Sequence, residues 1–245
     1  MTAYARRCNY YTIMVRSHAV TDALSLIIGP MWSGKTAVLL ELATAQRPLY
    51  RKTVLVKHAM DVRHPSDIIA SRSGLHCRAD VVAATLDDVI VHSDSLYVVD
   101  EAHFFGDSLS SFFARLCAAR RTAASGTVLP TLLVAGLDLD YRREPFANTA
   151  HLASAAIASP DATPSTVTRL AARCSHIGCM APAPYTQRIA RPAGVGHRHP
   201  KGHHDAGARL LVGDAETYRP ACAEHHTPSV VTTVEAWSTP STNTA

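Results

Sequence analysis

The sequence predicts an α/β fold: a parallel sheet flanked by helices and built around a phosphate-binding loop, followed by a small zinc-binding C-terminal domain. Three observations predict it. Residues 24–40, LSLIIGPMWSGKTAVLL, pass from a strand-length apolar run through Gly29-x-x-x-x-Gly34-Lys35-Thr36 into a helical pattern, the strand–loop–helix context that such a loop requires. Short apolar runs recur at 53–57, 96–99 and 131–135 with helical stretches interleaved, and unbroken apolar strands alternating with helices belong to parallel sheets covered on both faces. Beyond about residue 150, Cys, His, Gly and Pro replace periodic apolar residues, so that part must be held by something other than a large core.

In chain order, residues 1–22 carry Arg6, Arg7 and Arg16 and no acid before Asp22. They read as a disordered leader, with an organellar targeting peptide as the alternative. Residues 23–165 form the nucleotide-binding α/β domain. Gly29 and Gly34 permit backbone conformations and close approaches that a Cβ hinders. In the loop Pro30-Met31-Trp32-Ser33-Gly34 the backbone N–H groups after Pro30, together with the following helix start, face phosphate. Lys35 adds a mobile positive charge, and the Thr36 hydroxyl is a Mg²⁺ ligand. Residues 36–45 are helical, with Val38, Leu39 and Leu42 facing the core. Arg47-Pro48 ends that helix. A strand at 53–57 leads into a polar loop with Asp61 and Arg63. Residues 109–124 are helical, with Phe112, Phe113 and Leu116 inward and Ser125-Gly126 as the stop. Residues 153–164 read as a loop or frayed helix, and 166–170 as one more strand. Residues 166–226 make the metal-binding domain, and the Ser/Thr/Pro-rich 227–245 a disordered tail.

Composition narrows the function class. The chain has 245 residues, 47 % hydrophobic, with a net charge of +4, enough for one domain with an appendage and too mild a charge to argue for nucleic acid. No apolar run reaches membrane-spanning length. Six scattered cysteines without a secretory signal suit a reduced, cytoplasmic setting, where paired cysteines are read as metal sites first.

The strand at 96–99 runs into Asp100-Glu101. An acid at the end of a neighbouring strand holds the Mg²⁺ shell in phosphate-loop proteins, here Asp100. The next carboxylate points elsewhere and can take a proton, which makes Glu101 the candidate base. Asp61 is the substitute. Arg63 and Arg188 stabilise the transferring phosphoryl group or orient Glu101, with Arg63 as a surface charge the alternative. Asp100-Glu101-Ala102-His103 also spells the DEAH box of a helicase class, so a nucleic-acid-dependent ATPase is the competing reading. The length leaves no room for the second ATPase lobe such enzymes need.

Cys174-x-x-x-x-Cys179 and Cys222-x-x-His225 supply two close pairs of thiolate and imidazole ligands, the donor set of a tetrahedral structural Zn²⁺. Cys174 and Cys179 as unrelated buried thiols is the alternative, and His176 and His226 are substitute ligands. The His197, His199, His203, His204 run reads as a solvated loop. A zinc module attached to a nucleotide-sensing domain without turnover is a third functional reading.

Taken together, these segments resemble the thymidine kinase family of the zinc-containing cytosolic type. The resemblance spans residue 24 to about 225. It rests on the phosphate loop, Lys57 to Arg63, Asp100 to Phe105, Gly136-Leu137-Asp138 through Phe146, Tyr185-Thr186-Gln187-Arg188, and Gly213 to Cys222 with Tyr218-Arg219-Pro220. It implies ATP-dependent phosphorylation of the 5′-hydroxyl of thymidine or deoxyuridine, Mg²⁺, a structural zinc, a homotetramer and feedback inhibition by dTTP. No nucleic-acid or membrane partner is implied. Glu101 falls on the family's base, Tyr141 on an aromatic packed against the pyrimidine, and Met31 and Leu137 on pocket walls. Thr186 is grouped with these substrate contacts. Tyr218 and the backbone near Gly213 fall on a lasso loop carried by the zinc domain, which closes over the base. The chain departs from the pattern at His103, where the family has Gln, at Arg72-Ser73, at the wide Cys174–Cys179 gap, and in the His-rich insert.

Overall fold

The computed structural model describes residues 22–65, 67–158, 165–189, 217–228 and 237–238. The expectations placed on the leader, on Gly213 and on the His-rich run lie outside the described residues.

Strand β1 (Leu24–Ile28) enters the phosphate loop, and helix α1 (Lys35–Gln46) leaves it. Then come β2 (Lys52–His58), the short hairpin β3 (Ile68–Ala70) and β4 (His76–Arg78), β5 (Val81–Ala83) and β6 (Ser95–Val99). Helix α2 (Asp107–Thr122), β7 (Thr131–Gly136), α3 (Ala147–Ala158) and β8 (Ser165–Arg169) complete the main body. The sheet is six-stranded and parallel throughout, in the order β5-β2-β6-β7-β1-β8.

Alternation along the strands divides the interior into two cores, because successive strand side chains point to opposite faces. Leu24, Leu26, Val54, Val56, Tyr97, Val99, Leu132 and Val134 face α2 and α3, where Phe112, Leu116 and Leu152 meet them. Ile27, Leu55, Leu96, Val98, Leu133 and Ala135 face α1, where Val38, Leu39 and Leu42 cover them. Both faces are therefore apolar, which is why these strands read as continuous hydrophobic runs. The stretch expected to be a loop or frayed helix is a regular helix as far as Ala158, since Leu152 and Ala156 find a core to pack on. The strand at 165–169 pairs with β1, so the central sheet runs into the segment assigned to the metal-binding domain.

Among the described residues, that domain contains two small antiparallel pairs. β9 (Ala172–Arg173) joins β10 (Pro182–Ala183), and β11 (Tyr185–Arg188) joins β12 (Tyr218–Ala221). Its apolar cluster is small: Ala172, Cys174, Ala183, Ile189, Ala221, Cys222 and Trp237. Trp237 belongs to the stretch read as a disordered tail. It is buried and bridges to His176, and the Ser238 amide donates to the Ser175 carbonyl at 2.8 Å.

Candidate active site

The phosphate loop, the two acids and the Asp61–Arg63 loop follow β1, β6 and β2, and all leave from the carboxyl end of the parallel sheet, where open α/β sheets present their ligand crevice. Gly29 sits at φ 149°, and a Cβ there would come within 2.4 Å of the Leu170 carbonyl oxygen; no side chain fits between the loop and the end of β8. Gly34, at φ 82°, precedes α1 without a capping side chain, leaving the first amides of that helix available to an anion. Ser33 Oγ and Lys35 Nζ both donate to the Pro30 carbonyl, at 2.9 and 2.6 Å. Thr36 Oγ1 lies 3.0 and 3.2 Å from the two oxygens of Asp100. A hydroxyl and a carboxylate converging beside Lys35 form a hard-oxygen donor set, which fits Mg²⁺.

Glu101 leaves β6 in a left-handed conformation, φ 50°, a strained backbone for a residue with a Cβ. Arg63 binds both neighbouring acids: its Nε donates to Asp61 at 2.7 Å, and its Nη2 pairs with Glu101. The loop carrying Arg63 is held by Lys57, a buried lysine whose Nζ donates to the carbonyls of His64, Pro65 and Ile68 at 3.4, 3.0 and 2.8 Å.

These buried charges set one another's protonation. Burial raises Asp100 well above the usual carboxylate range, and the adjacent Glu101 charge adds to it. Burial pushes Glu101 the same way, but the Arg63 guanidinium, with His103 and Lys35, together outweigh it and hold the carboxyl low. Lys35 is brought down to about 8 by burial, against the pull of Glu101, Asp138 and Asp100. His103 is lowered to about 4 by burial, with Glu101 opposing, so it is neutral near pH 7. Its Nδ1 accepts the Leu137 amide at 3.3 Å and lies 3.6 Å from Glu101. Arg72, another departure from the family pattern, stacks its guanidinium 3.5 Å above the Trp32 ring.

Beside the acids opens a small cavity, partly open to solvent. Met31, Leu137, Tyr141, Thr186 and Tyr218 all line it, with His103, Phe104, Leu139, Asp140 and Phe146. The mix of aromatic walls and a few polar groups suits a small flat ligand. The Met31 amide donates to Thr186 Oγ1 at 3.1 Å, joining the phosphate loop to β11. Arg188 lies over the Tyr141 ring at 5.3 Å.

The side-chain ligand atoms of Cys174, Cys179, Cys222 and His225 lie within 4.8 Å of one another. Cys222 Sγ is 3.1 Å from His225 Nδ1, Cys174 Sγ is 3.7 Å from the same nitrogen, and Cys179 and Cys222 are 3.9 Å apart. A tetrahedron with bonds of ~2.3 Å has edges of ~3.8 Å, so the quartet fits Zn²⁺. His176 instead stacks on His225 at 3.8 Å, and His226 turns away from the quartet toward the cavity wall. Sequence reading treats His226 only as a spare ligand and passes over Lys57 as a determinant of the Arg63 loop. A lysine directly after the apolar run Val54-Leu55-Val56 is the available signal for Lys57; His226 offers none.

Comparison with known proteins places this geometry in context. A family model described as thymidine kinase matches residues 22–226. The chain is 29 % identical over 221 residues to a thymidine kinase of Mycoplasmoides gallisepticum, covering 87 % of this chain and 86 % of the relative. It is 30 % identical over 208 residues to one of Pyrobaculum aerophilum, covering 83 % and 97 %. With one of Chloroflexus aurantiacus it shares 31 % over 211 residues, covering 84 % and 95 %.

Proposed function

Because the chain belongs to the thymidine kinase family, we propose that it transfers the γ-phosphoryl group of ATP to the 5′-hydroxyl of thymidine or deoxyuridine, giving the monophosphate and ADP. The observation that carries this reading is adjacency. The phosphate loop, the Asp100–Glu101 pair and the aromatic-walled cavity share one end of the sheet, with His103 contacting both the acids and the cavity wall.

Phosphoryl transfer needs positioning and charge neutralisation more than covalent chemistry. Lys35 and the loop amides hold the phosphates. Thr36 and Asp100 would hold Mg²⁺, which would supply further charge neutralisation when bound. Glu101, kept ionised by Arg63, accepts the proton of the attacking 5′-hydroxyl as the new O–P bond forms and the bond to the ADP oxygen breaks. Arg63 orients Glu101 and adds positive charge beside it; Asp61 holds Arg63. Tyr141, Met31, Leu137, Thr186 and Tyr218, which line the cavity, hold the nucleoside. Cys174, Cys179, Cys222 and His225 hold a structural zinc that cross-links a domain with little core of its own.

Residues 23–165 together with β8 act as the nucleotide-binding unit, and the rest of 166–226 as the zinc-binding lasso unit. The family resemblance also carries a homotetramer, feedback inhibition by dTTP and a cytoplasmic location. Among the described residues no helix is long and apolar enough to cross a membrane. The decisive assay measures ATP consumption with thymidine, with single-stranded DNA and with neither. Thymidine monophosphate formed only in the first supports the kinase; consumption that requires DNA supports the DEAH-type ATPase, for which the comparisons offer nothing.

Lys35 gives the reading a pH signature. It binds phosphate as the ammonium, and burial brings it down to about 8. Phosphate favours the charged form and raises that value in the complex. ATP affinity is therefore expected to be level below about pH 8 and to fall above it by up to ~10-fold per pH unit. ATP titrations spanning that range check the slope, and affinity rising with pH would refute the sign.

Loss of the metal gives a second signature. Cys179→Ser and Cys222→Ser are expected to lower zinc content and to weaken thymidine binding by roughly 10-fold or more, with a smaller effect on ATP. Metal content per chain and nucleoside affinity, measured together, check this; wild-type protein that is fully active without zinc would remove the site.

A further inference from the structure

We propose that His226 is a positioning residue that ties the metal-binding domain to the wall of the nucleoside cavity, holding Tyr141 and Thr186 in place through a single imidazole. The proposal rests on the cavity being the thymidine site and adds a residue that sets its shape.

His226 follows the metal-site residue His225 and is buried, 4 % exposed. Arg143 Nε donates to its Nδ1 at 2.9 Å. A guanidinium can only donate, so Nδ1 carries no hydrogen and the ring proton sits on Nε2. That nitrogen faces two backbone carbonyls, Tyr141 at 3.1 Å and Thr186 at 3.2 Å. Arg143 therefore selects the tautomer, and the tautomer makes the ring a donor shared by two chain segments.

Both segments shape the cavity. Tyr141 and Thr186 line it, and Thr186 also takes the Met31 amide of the phosphate loop. The Tyr141 segment is a turn held from within by Asp140 Oδ1, which accepts the amides of Arg142 and Glu144 at 2.8 and 2.9 Å. Arg143 sits in that turn at φ 67°, a conformation costly for a residue with a Cβ. Its guanidinium meets His226 on one side and lies 4.1 Å over the Tyr185 ring. One imidazole thus joins the turn, β11 and the end of the metal site. Removing it leaves buried carbonyls without their donor, so the wall relaxes where the nucleoside would pack.

The test compares wild type, His226→Leu, His226→Gln and Arg143→Met in the full chain. It measures thymidine affinity, ATP affinity, kcat at saturating thymidine, zinc per chain and melting temperature. His226→Leu is expected to weaken thymidine binding roughly 10–100-fold, with ATP affinity within about twofold, zinc retained and KM changed more than kcat. The amide nitrogen of His226→Gln restores a donor near the position of Nε2, so this variant should recover much of the loss, and Arg143→Met should show the same pattern more weakly. Unchanged thymidine affinity in His226→Leu overturns the proposal. Zinc lost in step with affinity also overturns it, because the residue would then act through the metal, and so does a Gln variant no better than Leu. Wild-type protein that binds no thymidine overturns the kinase reading itself, an outcome distinct from the other three.

Discussion

Lys35→Ala is expected to abolish phosphoryl transfer from ATP to thymidine while leaving the protein folded. The side chain belongs to neither core, and the Pro30 carbonyl that it meets at 2.6 Å also accepts from Ser33 Oγ. Removing the lysine therefore orphans no buried group in the loop. What disappears is a cation held at low dielectric beside Asp100, Glu101 and Asp138, where charge on a transferring phosphoryl group would develop. Loss of such a preorganised charge lowers turnover by roughly a thousandfold or more. Initial rates with saturating ATP and thymidine, beside a melting curve, separate this from misfolding. Wild-type turnover in a well-folded variant would show that the loop does not carry the phosphates.

Glu101→Gln is expected to lower kcat by roughly 10²–10⁴-fold with thymidine binding largely kept. The substitution preserves volume and removes the proton acceptor. Geometry favours Glu101 over its neighbour for this task. Asp100 is engaged by the Thr36 hydroxyl, while Glu101 is held ionised by Arg63 and lies close to His103 at the cavity wall. The amide oxygen introduced by the substitution would still accept a hydrogen bond from Arg63, so the Arg63 loop should stay near its place. A near-normal kcat would move the role to Asp61, which Arg63 also binds. Reading kcat and KM separately matters, because a displaced Arg63 would disturb both.

The phosphate loop, the strand-end acids and the Cys/His quartet were all visible in the sequence, for a common reason. Their chemistry is local: the spacing from Gly29 to Thr36, the position of Asp100 after β6, and two pairs of close ligands each constrain residue types over a few positions. The two-faced sheet was visible as well, since a strand buried on both sides must be apolar throughout. The course of the chain after α3 was less readable. A five-residue strand rich in Ser and Thr at 165–169 has weak hydrophobic patterning, and only the open edge of β1 makes it part of the sheet.

The remaining features depend on residues that the fold brings together from far apart. Arg63 pairs with Glu101 across 38 positions, Met31 meets Thr186 across 155, and His226 reaches Tyr141 across 85. A sequence names the donors and acceptors but not which of them will face one another, and a histidine beside a metal ligand looks like a spare ligand until its ring is aimed. Burial decided the rest. Asp100 and Glu101 are adjacent carboxylates with nearly equal values in water; burial pushes both up, and the positive charge of Arg63 and Lys35 with His103 around Glu101 brings that one back down, which drives the two apart.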